Sequence, residues 1–233
     1  MKKLLLLLLF TTAAVFAQNN RSRVNIVGAM RNVMWKGQLQ GSINLDTISD
    51  RKNLYGLGPV EGLAGELLII NGKAYKSTVV SAAEMKVEET YKAKAPFFVY
   101  GYADKFSQSA LPSTINDLSK LEAYLDDKTK SVNEPYIFVL KGTVNSASVH
   151  VVNLPEGSKV SSPDDAHRGQ VSYKVENAPV EIVGFFSRSH QSVFTHHDTF
   201  MHLHLITKNG TIMGHLDAVE FKPGGMQLYL PFN

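Results

Sequence analysis

Along most of the chain, apolar residues recur at every second position or in short unbroken runs, and a helical period stands out in one place. Leu67-Leu68-Ile69-Ile70, then Asn71-Gly72, then Lys73-Ala74-Tyr75, reads as strand, two-residue turn and strand, because Asn-Gly accepts the positive φ values of a tight hairpin. Ala95 to Tyr102 reads as a further strand entered through Pro96. Between Ser113 and Asp127 the residues Ile115, Leu118, Leu121 and Leu125 fall on one side of a helix, with Ser113 placed to cap it. Beyond a linker at Ser131 to Pro135, short runs rich in β-branched and aromatic residues follow at Tyr136 to Leu140, Ala147 to Val152 and Val180 to Phe186. Pro155 to Gly169 is a polar excursion between them, and the segment from Val24 through Ile26, Val27 and Met30 suits helix or strand equally. No internal repeat is visible.

The first residues change the picture of where the chain works. Met1-Lys2-Lys3, an apolar run from Leu4 to Phe10 and small residues ending at Ala17 form the three-part pattern of a secretion signal, so the protein is expected to be exported, periplasmic or secreted. The run is shorter than the ~20 residues of a membrane span, so no membrane association is expected after cleavage. Residues 18–233 are long enough for one large domain or two lobes around a substantial core. There is no cysteine, which excludes a disulfide framework and leaves any metal to His, Asp or Glu. Lys2 and Lys3 belong to the leader, so the rest of the chain is close to neutral. Without a basic stripe or a phosphate-cradling glycine loop, nucleic acid is not an expected partner.

Candidate chemistry concentrates between Phe200 and Asp217. Strand alternation puts His202 and His204 on one face and Met201, Leu203 and Leu205 on the other. A two-residue hairpin centred on Asn209-Gly210 would set His204 opposite His215 and His202 opposite Asp217. Opposed Cβ atoms lie ~4.5–5.5 Å apart, so three imidazoles could converge on one ion. Asp217 could then orient His202 or ligate. Three histidines with room for water describe a catalytic zinc better than a closed structural one, although imidazoles also suit copper, iron, manganese or nickel. The competing reading is three ordinary strand histidines. His196 and His197, just upstream in a polar stretch, are equally compatible with the rim of a site and a solvated loop.

Together with Gly56-Leu57-Gly58-Pro59-Val60-Glu61-Gly62-Leu63-Ala64-Gly65-Glu66, Ala95-Pro96-Phe97 and Val183-Gly184-Phe185-Phe186, the His-x-His strand and its third histidine make the chain resemble the acetolactate decarboxylase family. The resemblance implies Zn2+ on His202, His204 and His215, with Glu66 beside the metal as a catalytic group that handles a proton or positions substrate. It implies zinc-dependent decarboxylation of 2-acetolactate, or a related 2-hydroxy-3-oxo acid, to acetoin and carbon dioxide, and it suggests a homodimer. Ala64 stands where the family motif has Asp, Pro59 where it has Thr, and His150 where it has Arg, which makes His150 the second catalytic candidate. The chain is also expected to lack a C-terminal tail that carries another glutamate to the site, since it stops at Asn233. An exported zinc-binding protein of the same fold with lost or altered catalysis is the alternative, and a zinc hydrolase a third reading. The expected architecture is α+β, mainly β: an N-terminal sheet lobe over 18–135 with a helix at 113–127, and a C-terminal sheet lobe over 136–233 whose β-hairpin bears the zinc.

Overall fold

The computed structural model describes residues 24–232, so the leader read at Met1 to Ala17 lies outside the described residues. The described chain is mainly β. Its strands are β1 (Asn25–Val27), β2 (Ile43–Asn44), β3 (Leu54–Pro59), β4 (Glu66–Ile70), β5 (Lys73–Val79), β6 (Met85–Glu89), β7 (Lys94–Ala95), β8 (Phe98–Tyr102), β9 (Ser107–Ala110), β10 (Tyr136–Val151), β11 (Val171–Phe186), β12 (Met201–Thr207) and β13 (Met213–Leu230). Three α-helices interrupt them: α1 (Met30–Lys36), α2 (Leu118–Lys128) and α3 (Pro163–Ala166). Among the described residues no helix is long and apolar enough to cross a membrane.

Six strands form one antiparallel sheet in the order β1-β8-β3-β4-β5-β6. A second sheet runs β10-β11-β12-β13-β9, and β10 also pairs with β13, so its four long strands close on themselves. Alternation decides what each strand buries. Along β4, Leu67 and Ile69 enter an outer core with Leu45, Leu54 and Phe98. Leu68 turns the other way, into a core shared with Ile137, Val139, Val183, Phe185, Ile206 and Met213 of the second sheet. This shared core joins the two sheets through side chains that are almost fully excluded from water, and each such side chain stabilises the fold by ~1.5–3 kcal/mol. The second sheet keeps a larger core of its own, against which α2 buries Leu121 and Leu125.

Several sequence expectations need correction. The helix expected over 113–127 begins at Leu118, because Asp117 rather than Ser113 caps it, accepting from the Lys120 N–H at 2.8 Å. Pro112 instead closes a separate turn with the Ile115 N–H. The runs at Tyr136 to Leu140 and Ala147 to Val152 belong to one 16-residue strand, β10, which pairs with the equally long β11 from Tyr136↔Phe186 to Val151↔Val171. Residues such as Lys141 and Thr143 look polar in sequence yet keep their place in this ladder. The strand expected at Ala95 to Tyr102 is split by Pro96-Phe97 into β7 and β8. The ambiguous segment after Val24 supplies both β1 and α1. Strand β9, from before residue 135, joins the second sheet by pairing with β13.

Candidate metal centre

The Asn71-Gly72 hairpin closes as the sequence predicts, with Ile70 paired to Lys73. The histidine hairpin has the expected register, His204↔His215, Leu205↔Gly214 and Ile206↔Met213, but a longer loop. Its last ladder bond joins the Thr207 N–H to the Ile212 carbonyl at 3.0 Å, leaving Lys208–Thr211 as a four-residue connection. The Lys208 N–H, which a two-residue turn would pair with Thr211, donates instead to the Pro179 carbonyl of β11. Only the loop changes. The strand faces stay as alternation requires: Met201, Leu203 and Leu205 enter the second sheet's own core, while His202 and His204 face the first sheet.

The rings of His202, His204 and His215 have centroids 5.2, 4.9 and 5.6 Å apart. Three imidazoles on one tetrahedral ion at ~2.0–2.1 Å would stand roughly 5 Å apart in the same measure. One nitrogen from each lies within 4.8 Å of the other two, so the trio could hold a metal ion. His204 is fully buried and His202 nearly so, and Nδ1 of His202 and both ring nitrogens of His204 have no hydrogen-bond partner. Buried nitrogens of that kind cost stability unless something ligates them. Burial, then the neighbouring histidines, hold the His202 and His215 rings well below the usual imidazole range, and burial with His150 brings His204 to about 3. All three are therefore neutral near pH 7, with lone pairs available to a cation.

Glu66 opens β4 on the same face as Leu68, so it points at the second sheet. Its Oε2 is 3.6 Å from Nε2 of His204, and its Oε1 accepts from the Val152 N–H at 3.4 Å. Burial first, and the charge of Asp217 last, raise this carboxyl well above the usual carboxylate range, against the Val152 hydrogen bond. His150 arrives on β10 directly opposite His215. Its Nδ1 is 2.6 Å from Oδ1 of Asp217. Asp217 was expected opposite His202. A register shift in the β10–β13 ladder pairs Val149 with Leu216 and Ser148 with Ala218, which leaves Asp217 as the extra residue of a bulge and aims it at His150.

These groups line one small cavity. Glu66, His150, His202 and His215 form its polar side, and Met30, Met34, Leu63, Phe97 and Val152 its apolar side. On the far side of His215 and His196 an acidic cleft of about 400 Å³ opens beneath α2, lined also by Glu122, Asp198 and Asp217. A wider groove of about 1010 Å³ lies against β6 and the β12–β13 loop and contains none of these groups, so size does not locate the chemistry here.

A family model described as alpha-acetolactate decarboxylase matches residues 27–230. The chain belongs to that family. It is 22% identical over 198 residues to an alpha-acetolactate decarboxylase of Brevibacillus brevis, covering 84% of this chain and 66% of the relative. It is 28% identical over 175 residues to one of Methanosarcina mazei, covering 75% and 58%. The chain thus spans less than two thirds of the length of these relatives. A crystal structure of alpha-acetolactate decarboxylase from Bacillus subtilis superposes with a TM-score of 0.74 at 19% identity, covering 91% of this chain and 87% of that one. A Staphylococcus aureus protein of unknown function, described as similar to alpha-acetolactate decarboxylase, gives 0.70 at 19% identity, covering 89% and 84%. The fold is the family's fold.

The structure brings together all five residues singled out in the sequence: Glu66, His150, His202, His204 and His215. It also brings in His196, which the sequence left between site rim and solvated loop, and His167, which it did not single out. His196 lines the cavity from the β11–β12 connection, its ring 5.2 Å from that of His215, and His167 follows α3, its ring 6.0 Å from that of His150. Burial lowers the pKa of both. Nothing in the polar excursion around His167 signals this, whereas the proximity of His196 to the triad in sequence could have. The guanidiniums of Arg168 and Arg188 are engaged elsewhere. Arg168 pairs with Asp165, and Arg188 with Asp126 and the carbonyls that end α2. Pro59 pairs with Glu66 across β3–β4 and lines the cavity.

Proposed function

We propose that this member of the family is a zinc-dependent decarboxylase of 2-acetolactate or a related 2-hydroxy-3-oxo acid, yielding acetoin and carbon dioxide from the former. The observation that carries the reading is the imidazole trio, with unpartnered nitrogens on the buried His202 and His204 and with Glu66 beside His204 across the sheet interface. His202, His204 and His215 would hold the ion, and Glu66 stands beside them. When bound, zinc supplies Lewis-acid stabilisation of negative charge developing on the substrate oxygens as carbon dioxide leaves.

The chain's own residues account for the rest. Glu66 sits in a water-poor pocket beside the trio, where its carboxyl is placed to hand a proton to the carbon left by decarboxylation. Met30, Met34, Leu63 and Phe97 shut out water on one side. His150 stands at the ion's other flank, in the position the resemblance gives to an arginine. We take Met1 to Ala17 as an export signal, which puts this chemistry outside the cytoplasm.

A second reading, metal binding without turnover, is favoured by one observation. Among the described residues lining the cavity there is no Lys or Arg to pair with a substrate carboxylate. The two separate on purified protein. Metal is measured by mass, and acetoin and carbon dioxide are followed from racemic acetolactate. Stoichiometric zinc with turnover is the expected result; zinc without turnover selects the second reading, and no metal at all removes both.

A further inference from the structure

His150 packs directly against His215, one member of the trio. Its ring centroid is 4.7 Å from that of His215, nearer than any two rings of the trio are to each other. It is 6% exposed and is placed by strand pairing rather than by a loop. The backbone beneath it is tight: a Cβ added at Gly214 would lie 2.4 Å from the His150 carbonyl oxygen.

The Asp217 contact fixes which way the ring's chemistry points. A carboxylate oxygen accepts, so at 2.6 Å the Nδ1–H of His150 donates to Asp217, and Nε2 is the ring nitrogen left for another partner. An imidazole backed by a carboxylate is also the arrangement that metal-ligating histidines adopt, because the carboxylate fixes the tautomer and raises ligand basicity.

We infer that His150 is a further metal ligand, oriented by Asp217 as its positioning residue, so that the centre offers four imidazoles. The inference rests on the metal reading above and deepens it. His150 lies outside the set whose nitrogens already stand within 4.8 Å of one another, so ligation draws its ring inward. Asp217 can follow, because its side chain is 36% exposed at the edge of the cleft beneath α2. Four imidazole nitrogens favour zinc, copper or nickel over magnesium or calcium.

The test uses chelator-stripped protein titrated with Zn2+ against a chromophoric competitor, and with Co2+ for its visible spectrum. His150→Ala is expected to weaken zinc binding by at least about 10–100-fold and to alter the cobalt spectrum, and Asp217→Asn to weaken binding by about tenfold. His150→Gln keeps most of the volume and carries the same expectation if the alanine variant fails to fold. Wild-type affinity and an unchanged cobalt spectrum in the His150 variants overturn the inference while leaving the trio intact. A wild-type chain that takes up no metal overturns both.

Discussion

Two Asn-Gly hairpins meet at the interface between the sheets, and they differ in what they bring and in how they close. The β4–β5 hairpin contributes one carboxylate, Glu66, and turns through Asn71 and Gly72, both at positive φ. The β12–β13 hairpin contributes three imidazoles and turns through four residues, of which Gly210 is at positive φ and Asn209 is not. Asn209 instead accepts from the Thr211 backbone and hydroxyl through its side chain. The comparison separates two things a turn dipeptide is often taken to fix together. Register followed the centre of the turn and the buried faces of the strands, whereas loop length followed a competing acceptor, the Pro179 carbonyl.

The hairpins should also differ in what their site residues do, and the largest expected effect tests this. His204→Ala removes a fully buried donor from the trio and should lower zinc affinity by at least about 100-fold, as read by metal content after dialysis. Glu66→Gln should lose less metal than that but cost about 10²–10⁴ in acetoin formation, because the amide cannot deliver the proton. If Glu66→Gln proves the worse metal binder of the two, the division of labour between the hairpins is wrong.

Acid sensitivity separates them next, in metal-free protein. The imidazoles of His202, His204 and His215 titrate lower in the folded chain than the usual ~6.5 of an unfolded one, His204 at about 3. Between about 3 and 6.5 the unfolded chain binds protons that the folded chain refuses, so their contribution to stability is lost as pH falls through that window. Glu66 has the opposite sign. Its folded pKa is raised, so the folded chain holds a proton that the unfolded chain gives up, and its contribution shrinks as pH rises above the unfolded value. The midpoint of urea unfolding should therefore fall from about pH 7 to about pH 5. His204→Gln should flatten that slope and Glu66→Gln should steepen it; the reverse pattern would mean that the burial assigned to these groups is wrong.

The trio was legible in the sequence because strand alternation and a turn centre are local, and two of its histidines are two residues apart. Glu66 was legible only through a family resemblance, since a carboxylate after Gly65 is by itself a common turn residue. Asp217 was misread for a reason that lies outside its own hairpin: the bulge that redirects it comes from pairing with β10, a strand far away in sequence. His167 was not legible as a site residue, and His196 stayed open between rim and loop, because connections of irregular backbone place both. Strand lengths were underestimated wherever polar residues continued a ladder, as at Lys141 and Thr143.

The glycines of the two turns give the smallest effects and the sharpest test of how the hairpins close. Gly72 is at φ +82, and a Cβ there would lie 2.1 Å from the Arg51 carbonyl oxygen, so Gly72→Ala combines a left-handed penalty with a backbone clash, about 2–4 kcal/mol together. Gly210 is at φ +71 with nothing within 4 Å of an added Cβ. Gly210→Ala should therefore cost only the conformational part, about 1 kcal/mol, and should leave metal content unchanged, because Thr207 and Ile212 still close the ladder that aligns His204 with His215. Urea titration of the two variants measures the difference. Equal losses would show that the second loop is packed as closely as the first. A loss of metal in Gly210→Ala would show that the loop, and not the strand faces, holds the histidines in register.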